Sequence, residues 1–217
     1  MAKAGSKPPD RYEIIFLRHA QSVGNAEKRH QGQADFPLTD LGREQARALA
    51  AHWQNKNQHF DHILCSPLTR AEDTARILAD TLDLEIHIDP VWMERDNGKL
   101  AGLLHEEALK KYPPPDFIPL YQPIAETGES QWELYLRAGK ALNSILSRDP
   151  GRYLIVGHGG LFNMVMQAVV GLTPQPDFQG ARFRFSNSGF TRVVYTPRDG
   201  RWDIQQHNIR PHWSDEA

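Results

Sequence analysis

Short runs of apolar residues recur along the chain, and each run stops at a polar or glycine-containing turn. The clearest runs are residues 14–17, 63–65 and 153–156, in which every side chain is aliphatic, aromatic or a cysteine. Continuous apolar runs of this length are typical of strands that are buried on both faces of a sheet. The pattern therefore predicts three buried strands.

Three further strands are predicted from alternation and from turn residues. Residues 85–88 alternate between polar and apolar side chains, which favours a half-buried strand. Residues 190–196 and 201–207 flank the dipeptide Asp199-Gly200, which is typical of the tight turn of a β-hairpin. The last two strands are therefore expected to pair with each other.

The segments between these strands carry apolar residues at spacings of three and four, the pattern of an amphipathic helix. One such stripe is formed by Ala46, Leu49 and Trp53. The clearest start signal is Ser130 with Glu133, which together predict a capping box. Helices are predicted to begin near Thr39 or Asp40, at Ser66-Pro67, near Leu103, at Ser130 and just after Gly160.

Strands that alternate with helices predict an α/β domain with a mainly parallel sheet, closed by the antiparallel hairpin. We expect residues 12–217 to form a single domain, and residues 1–11 to be a flexible N-terminal tail that lacks the apolar core of a signal peptide. Residues 91–128 show little periodicity, and residues 113–128 are rich in proline. This segment is predicted to be a lid or an excursion that shapes a substrate pocket.

Composition and charge exclude several classes of function. The chain has 217 residues, 40% of them hydrophobic, and a formal net charge of -2, so neither a nucleic acid nor a membrane surface is an expected partner. The longest apolar helix candidate, residues 161–172, is too short to span a bilayer. The single Cys65 excludes an internal disulfide and fits a reducing compartment. We expect a cytoplasmic protein that is a monomer or a homodimer.

Chemically reactive side chains stand where the three buried strands end. Arg18 and His19 follow the first strand, Ser66 and Arg70 follow the second, and His158 follows the third. The carboxyl ends of parallel strands lie at one edge of a sheet, which is where open α/β proteins bind ligands. Two arginines and two histidines are therefore predicted to meet at one site.

This set of side chains suits a phosphoryl group. The guanidinium group of arginine matches phosphate oxygens, and a neutral imidazole is a nucleophile that can form a covalent intermediate. Glycines on both sides of His158 are expected to let a ligand approach it closely. Cleavage of a phosphate ester also needs an acid that protonates the leaving oxygen. Glu94 is the leading candidate, and position alone does not separate it from Asp96.

The same residues belong to an ordered set of motifs that extends from about residue 13 to residue 195. Each motif alone is weak, but the whole set in this order is highly specific. The motifs comprise Arg18-His19-Ala20-Gln21-Ser22 with Asn25, then Gly32, Asp35, Pro37-Leu38-Thr39 and Gly42, then Ser66-Pro67-Leu68-Thr69-Arg70-Ala71 with Thr74-Ala75, then Glu94 with Gly98 and Gly102, then Gly128-Glu129-Ser130, then Val156-Gly157-His158-Gly159-Gly160, and finally Asn187-Ser188 with Thr191. This set resembles the motifs of the histidine phosphatase superfamily, whose branches include phosphoglycerate mutases and many small-molecule phosphatases.

The resemblance implies a fold and a role for each matching residue. The implied fold is a single three-layer α/β/α domain, with helices on both faces of a mainly parallel mixed sheet. His19 would receive the phosphoryl group, and Glu94, rather than Asp96, would protonate the leaving group and then activate water. The other implied catalytic residues are Arg18, Arg70 and His158. The predicted substrate-binding residues are Arg18, Asn25, Gln31, Gly32, Arg70, Arg95, His158 and Gly159. The family needs no metal, and we expect no cofactor.

Within the resemblance, two departures favour a phosphatase over a mutase. Mutases have a tryptophan where this chain has Gly24, and they have an arginine pair where it passes from Tyr112 into three prolines. A mutase must retain its anionic intermediate, so the missing grip favours release and hydrolysis. We therefore expect a metal-independent phosphomonoesterase that acts on a small phosphorylated metabolite through a phosphohistidine on His19.

Two alternative functions are compatible with the sequence. One is a phosphoglycerate mutase that depends on 2,3-bisphosphoglycerate, because the segment from Glu94 to Gly102 is close to the mutase pattern and Arg95 can bind a second anionic group. The other belongs to a different class, a catalytically idle protein that binds a phosphate ligand. The motifs do not name the substrate.

Overall fold

A six-stranded mixed sheet lies at the centre of the computed structural model, which describes residues 10–214. In chain order its strands are β1 (Tyr12–Arg18), β2 (His62–Cys65), β3 (Ile86–Ile88), β4 (Arg152–Gly157), β5 (Phe190–Thr196) and β6 (Arg201–Ile209). They lie side by side in the order β3-β2-β4-β1-β5-β6. Strands β1 to β4 are parallel, whereas β5 runs antiparallel to its neighbours β1 and β6. The six predicted strands and the mainly parallel sheet are confirmed.

Six α-helices accompany the strands in the described part of the chain. They are α1 (Val23–Ala26), α2 (Asp40–Asn55), α3 (Thr69–Leu82), α4 (His105–Lys111), α5 (Gln131–Leu146) and α6 (Gly159–Val169). Short 3₁₀ helices lie at Pro90–Trp92, Gly98–Leu100, Ile124–Glu126 and Pro176–Phe178. Helix α1 was not predicted, because four residues are too few to show a helical periodicity.

Helices cover both faces of the sheet, as the side chains of β1 illustrate. Ile14 and Phe16 point to one face and pack with α5 and α6, whereas Ile15 and Leu17 point to the other and pack with α2 and α3. All four side chains are at most 3% exposed. Burial of a side chain of this size contributes roughly 1.5–3 kcal/mol to folding. The implied three-layer α/β/α arrangement is confirmed.

The predicted start of α5 is correct, and the predicted start of α3 is not. The Ser130 hydroxyl accepts a hydrogen bond from the Glu133 N–H, and the Glu133 carboxylate accepts one from the Ser130 N–H. Helix α3, however, begins at Thr69 and not at the predicted cap Ser66. The carboxylate of Asp35 accepts hydrogen bonds from both the N–H and the hydroxyl of Thr69. A residue distant in sequence, Asp35, thus accepts hydrogen bonds from the first residue of the helix.

The predicted lid, residues 91–128, contains α4 and short 3₁₀ turns in otherwise irregular chain. Two hydrogen bonds tie it to the loop before β5. The Ile118 N–H donates to the Asp177 carboxylate over 2.5 Å, and the Asp177 N–H donates to the Ile118 carbonyl over 3.0 Å. Residues 1–9 of the predicted tail lie outside the described residues. Between residues 10 and 214, no helix is long and apolar enough to cross a membrane.

Candidate active site

The carboxyl ends of β2, β4 and β1, which are neighbours in the sheet, bring the predicted residues together. Arg18 ends β1 and is followed by His19, His158 follows β4, and Arg70 lies in the first turn of α3. The imidazole centroids of His19 and His158 are 5.1 Å apart. Arg18, His19 and Arg70 line one cavity. The four basic side chains predicted to meet at this edge therefore do so.

His19 is held in the form that a nucleophile needs. Its side chain is 2% exposed, and its Nδ1 lies 2.7 Å from the Ala20 carbonyl oxygen. Burial, reinforced by the charges of Arg70 and Arg18, keeps the pKa of His19 well below its usual value, so the ring is neutral at pH 7. A carbonyl only accepts hydrogen bonds, so Nδ1 carries the proton. The lone pair is therefore on Nε2.

His158 is neutral as well, and its hydrogen bonds indicate which nitrogen carries the proton. Its pKa is lowered by burial and by the charge of Arg70. The Ser66 hydroxyl oxygen accepts a hydrogen bond from the Leu68 N–H and lies 2.8 Å from His158 Nε2, to which it can donate its own proton. Nδ1 then carries the ring proton. This buried Nδ1 has no partner among the described residues, so it can donate to a bound oxygen.

Two arginines that line this cavity, the half-buried Arg18 and the buried Arg70, each keep an unused donor. Arg18 donates to the Phe185 carbonyl over 2.6 Å, and Arg70 donates to the carbonyls of Gly32 and Ala34 over 2.7 and 3.0 Å. These bonds fix both guanidinium groups in place. The Nε atom of each is buried without a partner in the described part of the chain. Burial lowers the pKa of Arg70 to about 10, so it remains charged at pH 7.

Asn25 adds an amide whose orientation is set by its neighbours. Its Oδ1 accepts hydrogen bonds from the Ser22 N–H, the Ser22 hydroxyl and the Asn187 side-chain amide, at 2.9–3.1 Å. Because three donors converge on Oδ1, Nδ2 is left to donate to a ligand. The same Asn187 amide also donates to the His19 carbonyl. Asn187 belongs to the motif set found in the sequence but had no predicted place in the site.

The Glu94 carboxylate lies at the N-terminus of α6. Its oxygens accept hydrogen bonds from the backbone N–H groups of Gly160, Leu161 and Arg95, at 2.8–2.9 Å. Backbone donors at a helix N-terminus stabilise a negative charge. Glu94 is thus positioned as a hydrogen-bond acceptor beside the cavity that holds His19.

Arg137 of α5, which the sequence analysis missed, fixes the loop that carries Glu94. Its guanidinium group donates to the carbonyls of Val91, Met93 and Glu94 and forms a two-pronged ion pair with Glu129. The Arg137 and Glu129 side chains are only 19% and 14% exposed. The apolar periodicity of α5 does not predict this contact, because the contact depends on the path of the loop that carries Glu94.

Two of the glycines around His158 have roles other than the predicted access for a ligand. A Cβ at Gly157 would lie 2.8 Å from the Phe162 ring, and a Cβ at Gly160 would overlap the Glu94 carboxylate. Gly157 is therefore required for close packing against Phe162, and Gly160 is required to leave room for the Glu94 carboxylate. Only Gly159, which lines the larger cavity described below, has no such conflict.

Two adjoining cavities, of about 450 and 940 Å³, open at this edge of the sheet. Both are lined by Arg18, Glu94, Arg95, Gly160 and Arg182, so they are continuous. The smaller cavity also contains His19 and the predicted substrate-binding residues Asn25, Gln31, Gly32 and Arg70. The predicted substrate-binding residues thus line one or other cavity, apart from His158, whose ring centroid lies 5.1 Å from that of His19.

The arrangement can hold a tetrahedral anion in front of His19 Nε2, with donors on several sides and a carboxylate nearby. Among the residues that the structure describes, Glu94 is the only acidic one in the walls of either cavity. Across residues 10–214, no three His, Cys, Asp or Glu side chains are grouped as ligands of a metal ion. The imidazole of His19 and the carboxylate of Glu94 are groups suited to nucleophilic and acid–base chemistry.

Comparison with known proteins gives one consistent result. A family model described as the histidine phosphatase superfamily, branch 1, matches residues 14–210. A protein of Enterobacter sp. (strain 638) named "probable phosphoglycerate mutase GpmB" is 34% identical over 194 residues, which cover 84% of this chain and 85% of that protein. Its namesake from Yersinia enterocolitica is 32% identical over 191 residues, with the same shares covered.

Solved structures of similar fold include phosphatases. The mycobacterial glucosyl-3-phosphoglycerate phosphatase matches with a TM-score of 0.72 and 25% identity, over 92% of this chain and 99% of that one. Phosphoserine phosphatase from Entamoeba histolytica, solved with 3-phosphoglyceric acid, matches with a TM-score of 0.74 and 24% identity, over 93% and 98% of the two chains. The second likeness establishes the fold alone.

Proposed function

Because the chain belongs to the histidine phosphatase superfamily, we propose that it hydrolyses a small phosphate monoester through a phosphohistidine on His19, without a metal. The observation that carries this proposal is the state of His19. The ring is neutral, its Nδ1 is committed to the Ala20 carbonyl, and Nε2 holds a free lone pair in a cavity whose walls include Arg18 and Arg70.

In the first step, His19 Nε2 attacks phosphorus while the bond from phosphorus to the leaving oxygen breaks. Glu94, protonated in the enzyme–substrate complex, gives its proton to that oxygen. The negative charge of the bound phosphoryl group favours the neutral, protonated form of the carboxyl group beside it. Arg18, Arg70 and the His158 Nδ1–H donate to the phosphoryl oxygens as charge shifts among them.

In the second step, water attacks the phosphohistidine. The Glu94 carboxylate takes a proton from the water, the bond between phosphorus and Nε2 breaks, and neutral His19 is restored with release of inorganic phosphate. One carboxyl group thus serves as the acid and then as the base, and no proton is gained or lost by the site over the cycle.

The surroundings of Gly24 support hydrolysis over transfer. A Cβ at this position would lie 2.6 Å from the side-chain carbons of Gln31, so a larger residue here would have to displace Gln31. The Gln31 side-chain amide lies 2.7 Å from the Ser22 hydroxyl oxygen, a contact that holds the glutamine beside the cavity. The site therefore lacks room for the tryptophan that the mutase pattern has here.

The test is turnover of p-nitrophenyl phosphate and of an alkyl phosphate, with and without a chelator. We expect the activity to survive the chelator and to be lost in His19→Ala, while the exposed control His59→Ala keeps it. Wild-type protein quenched during turnover should carry acid-labile phosphate that His19→Ala lacks. Activity that needs a metal, or that persists in His19→Ala, would contradict the mechanism.

A phosphoglycerate mutase is the second candidate, favoured by the names of relatives that are 32–34% identical. Conversion of 3-phosphoglycerate to 2-phosphoglycerate, primed with 2,3-bisphosphoglycerate, separates the two functions. We expect release of inorganic phosphate to exceed isomer formation. The reverse ratio would make the protein a mutase.

A further inference from the structure

The larger cavity is much bigger than a phosphoryl group needs. Its volume is about 940 Å³, and it continues from the smaller cavity past Arg18 and Glu94. Because Glu94 protonates the leaving oxygen in the proposed reaction, space that adjoins Glu94 is space for the leaving group. The polar and charged side chains that line this cavity therefore indicate which chemical class of leaving group it can bind.

Two glutamines in that lining are buried with unsatisfied amide atoms. Gln131 is 2% exposed and its Nε2 has no acceptor, whereas Gln167 is 6% exposed and its Oε1 has no donor among the described residues. The Gln167 Nε2 donates to the Ala181 carbonyl over 3.0 Å, which fixes the orientation of that amide. Buried polar atoms without partners are rare, because each is costly to leave unpaired.

A hydroxyl group is the ligand that both atoms can use. It accepts a hydrogen bond from an amide N–H and donates one to an amide oxygen, whereas a carboxylate or phosphate can only accept. An apolar leaving group would leave both glutamines unpaired. The glutamines therefore favour a leaving group that bears hydroxyls.

Two arginines at the same cavity favour a second negative charge. Arg95 lies 5.2 Å over the ring of Phe178 and donates from Nε to Asn97. Arg182 also lines both cavities. Burial lowers the pKa of Arg95, the carboxylates of Glu94 and Glu129 raise it, and the charge of Arg182 lowers it. Two like charges beside an open polar cavity repel each other, and an anion between them removes that repulsion.

The backbone at Phe178 has a strained conformation. Both Phe178 and the preceding Asp177 have a φ of 55°, in the left-handed region that few non-glycine residues adopt. The two hydrogen bonds between Asp177 and Ile118 join this turn to the segment 113–128 and stabilise its conformation. The turn places the aromatic ring where it supports the guanidinium group of Arg95.

We infer that the larger cavity binds a hydroxyl-rich leaving group that carries a second anion, with Gln131 and Gln167 on hydroxyls and Arg95 with Arg182 on the anion. This inference rests on the proposed function, since it names the leaving group of that reaction. Phosphorylated sugar acids have the required chemistry, and so do sugar bisphosphates.

The test compares kcat/KM for four phosphate esters in the wild-type protein. They are 6-phosphogluconate (hydroxyls and a carboxylate), fructose 1,6-bisphosphate (hydroxyls and a second phosphate), glucose 6-phosphate (hydroxyls alone) and p-nitrophenyl phosphate (neither). We expect at least one of the two doubly anionic sugars to exceed glucose 6-phosphate by about tenfold or more. Which of the two is better tells whether the second anion is a carboxylate or a phosphate.

Variants locate the effect in the cavity. Arg182→Met should lower the ratio of kcat/KM for the preferred anionic sugar to that for glucose 6-phosphate by about tenfold. Gln167→Leu should lower kcat/KM for both sugars relative to the aryl phosphate. The exposed residues Arg76 and Gln54 provide matched controls, and Arg76→Met and Gln54→Leu should change neither ratio.

The outcomes separate this inference from the proposed function. If the wild-type protein cleaves none of the four esters, the proposed function is contradicted, and the inference that rests on it is contradicted as well. If it cleaves the aryl phosphate but prefers no anionic sugar over glucose 6-phosphate, the inference fails and the phosphatase stands. An anionic-sugar preference that Arg182→Met leaves unchanged would also overturn the assignment of Arg182.

Discussion

At the scale of single residues, His19 owes its nucleophilic form to its neighbours. The chain buries the ring, places two arginines beside it and gives Nδ1 a carbonyl partner. Burial and the two arginine charges disfavour a protonated ring, and the carbonyl fixes the tautomer. The same environment that keeps Nε2 unprotonated and reactive therefore lowers the stability of the folded chain in acid.

The lowered pKa of His19 predicts how stability depends on pH. Below about pH 6.5 the unfolded chain binds a proton at this histidine and the folded chain does not, so acid favours unfolding. The free energy of unfolding should fall by up to about 1.4 kcal/mol per pH unit for this group. In His19→Asn that part of the slope should vanish, whereas the exposed control His59→Asn should retain it.

Urea unfolding between about pH 5 and about pH 7 measures both slopes. The other histidines with lowered pKa values, among them His158, are shared by both variants and cancel in the comparison. Equal slopes in the wild-type protein and His19→Asn would show that His19 is protonated in the folded chain.

The close approach of Gly160 to Glu94 predicts a second single-residue effect. In Gly160→Ala the new Cβ overlaps the carboxylate and must displace it from the end of α6. Turnover of an alkyl phosphate, whose leaving group needs the proton, should fall about a hundredfold or more. Turnover of p-nitrophenyl phosphate, which has a better leaving group, should fall less.

The control for this substitution lies on an exposed face of α5. A Cβ at Gly139 meets nothing within 4 Å among the described residues, and helical alanine is about 0.5–1 kcal/mol more favourable than glycine. Gly139→Ala should therefore keep full activity and raise the melting temperature. An equal loss in both variants would mean that the loss at Gly160 does not come from Glu94.

At the scale of elements, two serines that were both predicted to cap helices have different roles. Ser130 caps α5, so Ser130→Ala should cost about 1 kcal/mol of stability and leave turnover unchanged. Ser66 lies before α3 and pairs with His158. Ser66→Ala leaves a buried ring nitrogen unpaired, so it should lower kcat/KM by about tenfold.

Paired measurements of turnover and thermal unfolding on the two variants distinguish these roles. Each serine serves as the control for the other. If Ser66→Ala loses stability and keeps activity, its hydroxyl acts on the helix and not on His158.

Elements were predictable from the sequence wherever the signal is local. Buried strands appear as continuous apolar runs, and the positions at which these runs end correctly predicted that Arg18, His19 and His158 are neighbours. The capping box of Ser130 is likewise complete within four residues.

Contacts that depend on tertiary structure were not predictable in this way. Asp35 satisfies the start of α3 from 34 residues away, and Asn187 reaches His19 from the loop before β5. Arg137 holds the Glu94 loop through backbone carbonyls, which carry no sequence signature. Asp35 and Asn187 belong to the predicted motif set and Arg137 does not, but the contacts of all three were missed because their partners are chosen by the fold and not by nearby sequence.

At the scale of the whole molecule, the anion-binding donors come from elements throughout the fold. A phosphate ion that binds only the folded chain should therefore stabilise all of it, by about 2.7 kcal/mol at a hundred times its dissociation constant. Unfolding in phosphate and in chloride at equal ionic strength measures this gain. Arg70→Met should abolish the gain, and the exposed control Arg76→Met should retain it.

A gain that is the same in Arg70→Met and Arg76→Met would indicate general salt effects and not the site. Arg70 is buried, so its variant is expected to be less stable in both salts. The difference between the two salts within one variant is the quantity that tests the prediction.

The position of β1 in the sheet has a consequence for protein synthesis. Both of its partners, β4 and β5, lie C-terminal to residue 151, so β1 leaves the ribosome long before either partner exists. During that interval the apolar segment 14–17 has no sheet to join, and unpaired apolar strands are prone to aggregation. We therefore expect nascent chains to hold this segment in a chaperone-accessible form, and to acquire phosphate affinity only after β5 has emerged.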